Sequence, residues 1–71
     1  MKITYDKETD TMTIVLSEGR IRESDEVRPG VIADFGFQGE VVRFEILSAS
    51  KVVAQPQAVA YEFLEADPPI S

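Results

Sequence analysis

The stretch Val31-Ile32-Ala33-Asp34-Phe35-Gly36-Phe37-Gln38-Gly39-Glu40-Val41-Val42-Arg43-Phe44-Glu45-Ile46-Leu47 decides the fold. Residues 31–37 and 40–47 are rich in β-branched and aromatic side chains, and they flank Gln38-Gly39, which suits a two-residue hairpin loop. Folding about that loop sets Val31 opposite Ile46, Ala33 opposite Phe44 and Phe35 opposite Val42 on one face. The other face then opposes Ile32 to Glu45 and Asp34 to Arg43. Side chains alternate with period two, so a slip of one residue would break the apolar match and the charge match together.

The same alternation extends upstream. Ile3 and Tyr5 alternate with Lys2, Thr4 and Asp6, and Met12, Ile14 and Leu16 alternate with polar or small neighbours. Pairing Tyr5 with Met12 sets Ile3 against Ile14 and Thr4 against Thr13, with Lys7-Glu8-Thr9-Asp10 closing a second hairpin. Ser17-Glu18-Gly19-Arg20 reads as a turn. Residues 21–27 are polar and charged, which suits an edge strand that discourages pairing with other chains. Arg28-Pro29-Gly30 places proline where φ is preset and glycine where positive φ is wanted. Downstream, Ser48-Ala49-Ser50 is expected to cap a short helix through Lys51, Val52, Val53 and Ala54, ended by Pro56. Residues 59–64 carry two periodicities. Val59, Tyr61 and Phe63 alternate as a strand would, whereas Val59, Ala60, Phe63 and Leu64 make a helical stripe; Pro56 and the bulky alternation favour a strand. The expected architecture is one domain over residues 1–71 of class α+β, mainly β: a small antiparallel sheet built from hairpins with one short helix, frayed from about residue 66.

Composition bounds the chemistry. Among 71 residues there is no cysteine, histidine or tryptophan, and 13 acidic against 7 basic side chains leave a net charge of -6. The missing cysteine excludes disulfide scaffolds, thiol redox chemistry and thiolate metal sites. The missing histidine removes the commonest general base and zinc ligand. The basic residues are scattered, so no surface to neutralise nucleic-acid phosphates is expected. The N-terminus lacks the apolar core of a signal peptide and no apolar run is long enough to span a bilayer, so a cytoplasmic location without membrane association is expected. Residues 56–71 carry Glu62, Glu65 and Asp67 and no base.

Few groups remain for chemistry. Asp6, Glu8 and Asp10 have the spacing that opens a calcium loop, but Thr11 and Ser17 stand where that loop needs glycine and glutamate, and a solvated hairpin loop is the simpler reading. Asp34 and Glu45 come within diagonal reach on one face, with Arg43 opposite Asp34 to neutralise them as a structural ion pair. Gly36-Phe37-Gln38-Gly39 lacks the lysine and following helix of a phosphate loop. The serines have no histidine to activate them, and no cofactor is implied. Tyr61, Phe63 and Leu64 either close the small core or form an arm with which one subunit pairs with another.

Taken in order, Tyr5-Asp6 with Asp10, Leu16-Ser17-Glu18-Gly19, Glu23-Ser24 with Val27, Pro29-Gly30, Asp34, Gly39, Phe44-Glu45-Ile46-Leu47 and Ala49-Ser50-Lys51 resemble the YuzE-like family of small bacterial and archaeal proteins of unknown function. The resemblance covers residues 1–53. It departs at Gly36-Phe37, where that family usually carries an acidic pair, and at Arg43, where a small residue is common. It implies a compact β-rich domain with no assigned activity. Toxin-like gene neighbours of similar proteins add an antitoxin-like or partner-binding role. The residues leave two readings: a non-enzymatic interaction module that forms a homo-oligomer or binds a small protein partner, and a carboxylate-dependent metal or small-ligand protein using Asp6, Glu8, Asp10 or the Asp34 and Glu45 pair.

Overall fold

The computed structural model of the chain describes residues 1–66; the expected frayed tail from residue 67 onward lies outside them. Five strands, β1 (Lys2–Asp6), β2 (Thr11–Val15), β3 (Glu23–Arg28), β4 (Val31–Phe35) and β5 (Val41–Ile46), form one antiparallel sheet in the order β1-β2-β5-β4-β3. The hairpin registers follow the side-chain pattern: Tyr5 faces Met12, Ile3 faces Ile14, Val31 faces Ile46, Ala33 faces Phe44 and Asp34 faces Arg43. The pairing of β2 with β5 sets Met12 against Ile46 and Ile14 against Phe44. One face therefore carries the rows Ile3–Ile14–Phe44–Ala33–Asp25 and Tyr5–Met12–Ile46–Val31–Arg28, apolar across β2, β5 and β4 and charged at the β3 edge, and the other carries Thr4–Thr13–Glu45–Ile32–Glu26 and Lys2–Val15–Arg43–Asp34–Ser24.

The loop of the central hairpin differs from expectation. Instead of two residues, Gln38 and Gly39, it has three, residues 37–39. The Gly39 N–H donates to the Gly36 carbonyl (3.2 Å) and the Gly36 N–H to the Glu40 carbonyl (2.8 Å), with Gly39 at φ +83°. That is a type I turn closed by a left-handed glycine, a geometry whose twist suits the strands. The extra residue would shift the register by one. A bulge between Asp34 and Phe35 absorbs it, so Phe35 pairs with Val41 rather than Val42 while Asp34 keeps Arg43. A second bulge, between Glu26 and Arg28, stands beside the two-residue turn Pro29-Gly30, where Gly30 has φ +79°. A type II turn splays antiparallel strands, and the extra residue Val27 restores their pairing.

Residues 16–22 cross the end of the sheet from β2 to β3. Leu16 and Ser17 donate their N–H groups to the Val42 carbonyl (2.8 and 3.3 Å), and Arg22 donates to Phe35 (2.8 Å). Gly19 lies against the Val42 side chain, where a Cβ would sit 3.6 Å from Cγ2. The Arg20 guanidinium stands 5.2 Å from the centre of the Phe37 ring, tying the crossover to the hairpin loop. Met12, Ala33, Val42 and Ala49 are the buried apolar core, and Pro56 is buried as well.

Two expected elements do not form. The helix from Ser48 to Ala54 reduces to a single 3-10 turn, Ala49–Lys51. Ser48 takes a left-handed φ of 51° and makes no side-chain capping bond, and the adjacent β-branched Val52 and Val53 are poor helix formers. Residues 59–63 are not a strand and have no regular structure. Alternation prepares a strand, but a strand exists only where another backbone takes up its hydrogen bonds, and this segment runs without one.

Candidate functional site

The polar face holds one ordered cluster. Asp34 is 2% exposed. It accepts hydrogen bonds from the Ser24 hydroxyl on β3 and, at 2.5 Å, from Arg43 Nε on β5, while Arg43 Nη2 stands 4.0 Å from Glu45 Oε1. Burial pushes the Asp34 carboxyl up, but the Ser24 hydroxyl and the Arg43 guanidinium outweigh it, and the group lies below the ordinary aspartate value. Such a carboxylate stays charged and fully occupied. Its chemistry is that of an ion pair holding three strands together, the role its position opposite Arg43 suggests.

The second cluster joins the first hairpin to the turn that follows β5. Asp10, at φ 53°, accepts the Tyr5 hydroxyl (2.7 Å) and the Ser50 N–H (3.0 Å) on Oδ1 and the Ser50 hydroxyl (2.6 Å) on Oδ2, while its carbonyl accepts the Ala49 N–H (2.8 Å). Ser50, then Tyr5, hold the Asp10 carboxyl below its ordinary value, and the same bond raises the Tyr5 phenol. Asp6 Oδ1 accepts the N–H groups of Glu8 (2.9 Å) and Thr9 (3.4 Å) in an Asx turn. The carboxylates of Asp6 and Asp10 therefore serve the hairpin and the latch to Ser50, and Glu8 contributes its backbone N–H. Among the described residues no three acidic side chains converge as a metal site would require.

The latch and the Ser24 hydroxyl are the functional-looking contacts that periodicity does not reveal. Their one trace in the sequence is that Tyr5, Asp10, Ser24, Asp34 and Ser50 all belong to the ordered pattern of the resemblance.

The third surface is apolar. Across the sheet, Ile14, Phe44, Ile46 and Val31 are only half-buried and Ile3 is 37% exposed. The C-terminal segment passes the rim of this face. Gln57 lines a cleft with Tyr5 and Lys7, and Val59, Ala60 and Tyr61 line an open groove of about 530 Å³ with Met1 and Ile3. Tyr61, Phe63 and Leu64 are 77%, 72% and 81% exposed. They do not close the core.

Residues 2–50 match a family model described as "Protein of unknown function (DUF2283)". The matched stretch contains all five strands, both bulges, the Ser24–Asp34–Arg43 cluster and the Asp10–Ser50 latch, and it ends before the exposed segment. No curated protein and no solved structure matches the chain. No helix among the described residues is long and apolar enough to cross a membrane.

Proposed function

The chain belongs to this family of unknown function, DUF2283, and we propose from its geometry that it is a non-enzymatic protein-interaction module. The observation that carries the reading is the apolar side of the sheet, which is covered at Met12 and Ala33 but left half-exposed around them. A sheet with one apolar face is stable when another layer buries that face, and here Ile3, Ile14, Phe44 and Ile46 remain in contact with water beside the exposed Tyr61, Phe63 and Leu64. The two polar clusters support the same reading, because their carboxylates are engaged in holding strands and turns. The YuzE-like resemblance points to partner binding as well. Its antitoxin-like form would use the β3 edge of the sheet, where Glu23, Asp25 and Glu26 are exposed, against a basic partner.

Photo-crosslinking in the host cell tests the module. Benzoylphenylalanine placed at Tyr61 or at Ile3 is expected to give a discrete protein adduct, and the same group at Thr4, on the opposite face of β1, is expected to give none. Absence of any adduct from positions 3 and 61 would remove the proposal.

A further inference from the structure

We infer that the free edge of β3 docks a basic extended segment of another protein, which adds to the sheet as a further strand and seats a lysine or arginine side chain between Glu23 and Asp25. This inference rests on the interaction reading above and adds the place, the mode and the chemistry of the partner. Three observations carry it.

The first is the backbone. Among the described residues β3 pairs with β4 alone, and no backbone hydrogen bond from outside the sheet reaches residues 23–28. All six residues of the strand are exposed. Its outer side therefore presents unpaired N–H and C=O groups, the template on which an extended chain adds as a strand.

The second is charge. Among the described residues Glu23, Asp25 and Glu26 make no ion pair, and Arg28 turns back on its own strand, its Nη1 donating to the Val27 carbonyl (3.3 Å). Glu23 and Asp25 stand on the face of their partners Phe35 and Ala33, and Glu26 stands on the other face with Ile32. A strand laid beside β3 meets carboxylates on both of its faces. Opposite charges directly across a strand pair attract and like charges repel. The side chains that bar an acidic strand, the β3 of a second copy included, therefore select a basic one. The other edge of the sheet has no such preference, because β1 carries one base, Lys2, and one acid, Asp6.

The third is shape. A cleft of about 500 Å³ at the start of β3 is lined by Glu23, Ser24, Asp25, Phe35 and Gly39. The half-buried Phe35 gives it an apolar wall and the two carboxylates give it an acidic one. A long basic side chain suits both, its methylene stem packing on the ring while its charged head stays with the carboxylates. The bulge between Glu26 and Arg28 ends the regular part of the edge, so the docked strand lies along residues 23–26.

Titration of the isotope-labelled full chain with a blocked hexapeptide of alternating lysine and threonine, followed by amide NMR, tests this. The amide resonances of residues 23–26 and the ring resonances of Phe35 are expected to shift saturably, with affinity falling as salt is added. The same peptide methylated at every backbone nitrogen keeps its charges but has no N–H to donate, and it is expected to bind at least about tenfold more weakly. Glu23→Lys with Asp25→Lys sets like charges across the pair and is expected to weaken the unmethylated peptide by at least about tenfold. Glu8→Lys with Glu62→Lys makes the same change in net charge at exposed positions away from β3, and its loss is expected to stay within about twofold. The comparison of the two peptides uses the unaltered protein, so it decides the matter if the Glu23 and Asp25 variant fails to fold. Absence of saturable shifts at residues 23–26 would overturn the inference. Equal binding of the methylated peptide would do the same, as would equal losses in the two charge variants, since net charge alone would then attract the peptide. The crosslinking experiment separates the two failures. Failure of the titration with a discrete adduct at position 3 or 61 defeats the β3 site alone, and failure with no adduct defeats the interaction reading as well.

Discussion

At the scale of single residues, Asp34 shows how a sheet holds a charge without using it. Its carboxylate is buried between a hydroxyl and a guanidinium, whereas the Arg43 side chain is itself 37% exposed. Removing either partner has unequal consequences. Asp34→Asn leaves a hydrated arginine, but Arg43→Met leaves a buried carboxylate with Ser24 alone, which is expected to cost about 1–3 kcal/mol in urea denaturation. Acid should act on the same groups. Asp34 and Asp10 both have folded-state values below the ordinary one, so their contribution to stability is complete above the unfolded-chain pKa of about 3.9 and is lost as pH falls through the lower folded values. The melting temperature is expected to drop below about pH 4, less steeply in Asp34→Asn; a flat profile into that range would contradict the assignment. Opposition of Asp34 to Arg43 is legible in the sequence because both lie in one hairpin whose apolar pattern sets the register. The Ser24 contact depends on the register of a charged edge strand that has no such pattern. The Asp10–Ser50 contact spans 40 positions and leaves no periodic mark.

At the scale of elements, turns and bulges work in pairs. Each of these two turns is accompanied by one extra residue, Val42 after the three-residue loop and Val27 before the Pro29-Gly30 turn. A loop one residue longer than the pattern predicts therefore coexists with the Asp34–Arg43 pairing that the same pattern predicts. The apolar pattern determines which residues face each other in the middle of the hairpin, and the bulge reconciles that pairing with whatever the loop needs. Gly39 isolates the backbone part of this arrangement, because a Cβ there would meet nothing within 4 Å. Gly39→Ala is therefore expected to destabilise by about 1–2 kcal/mol through the left-handed φ alone, and Gly39→Asn by less. Equal stability of all three proteins would exclude a left-handed residue at this position. The helix expected after Ser48 fails for a related reason: residue preferences proposed a cap, but Ser48 turns left-handed and Ala49 donates to Asp10 instead. Long-range hydrogen bonds to the first hairpin outweigh a weak local preference.

For the molecule as a whole, the order β1-β2-β5-β4-β3 has a consequence in time. Three of the four strand pairings join neighbours across a short connection, and such hairpins form in about microseconds. The pairing of β2 with β5 is different, since it joins Met12 to Ile46 and brings together two parts of the chain that are each already a hairpin. Loop-closure entropy has to be overcome at that one place before any contact rewards it. The slow event in folding is therefore expected to be the docking of the β1-β2 hairpin onto the β3-β4-β5 meander along a seam through the middle of the sheet. Phe44→Leu, on the seam opposite Ile14, is expected to lower the refolding arm of a stopped-flow chevron. A change confined to the unfolding arm would place docking after the transition state. Until the halves meet, Asp10 has no Ser50 to accept from, so the latch cannot close before docking and its closure reports that the two halves have met.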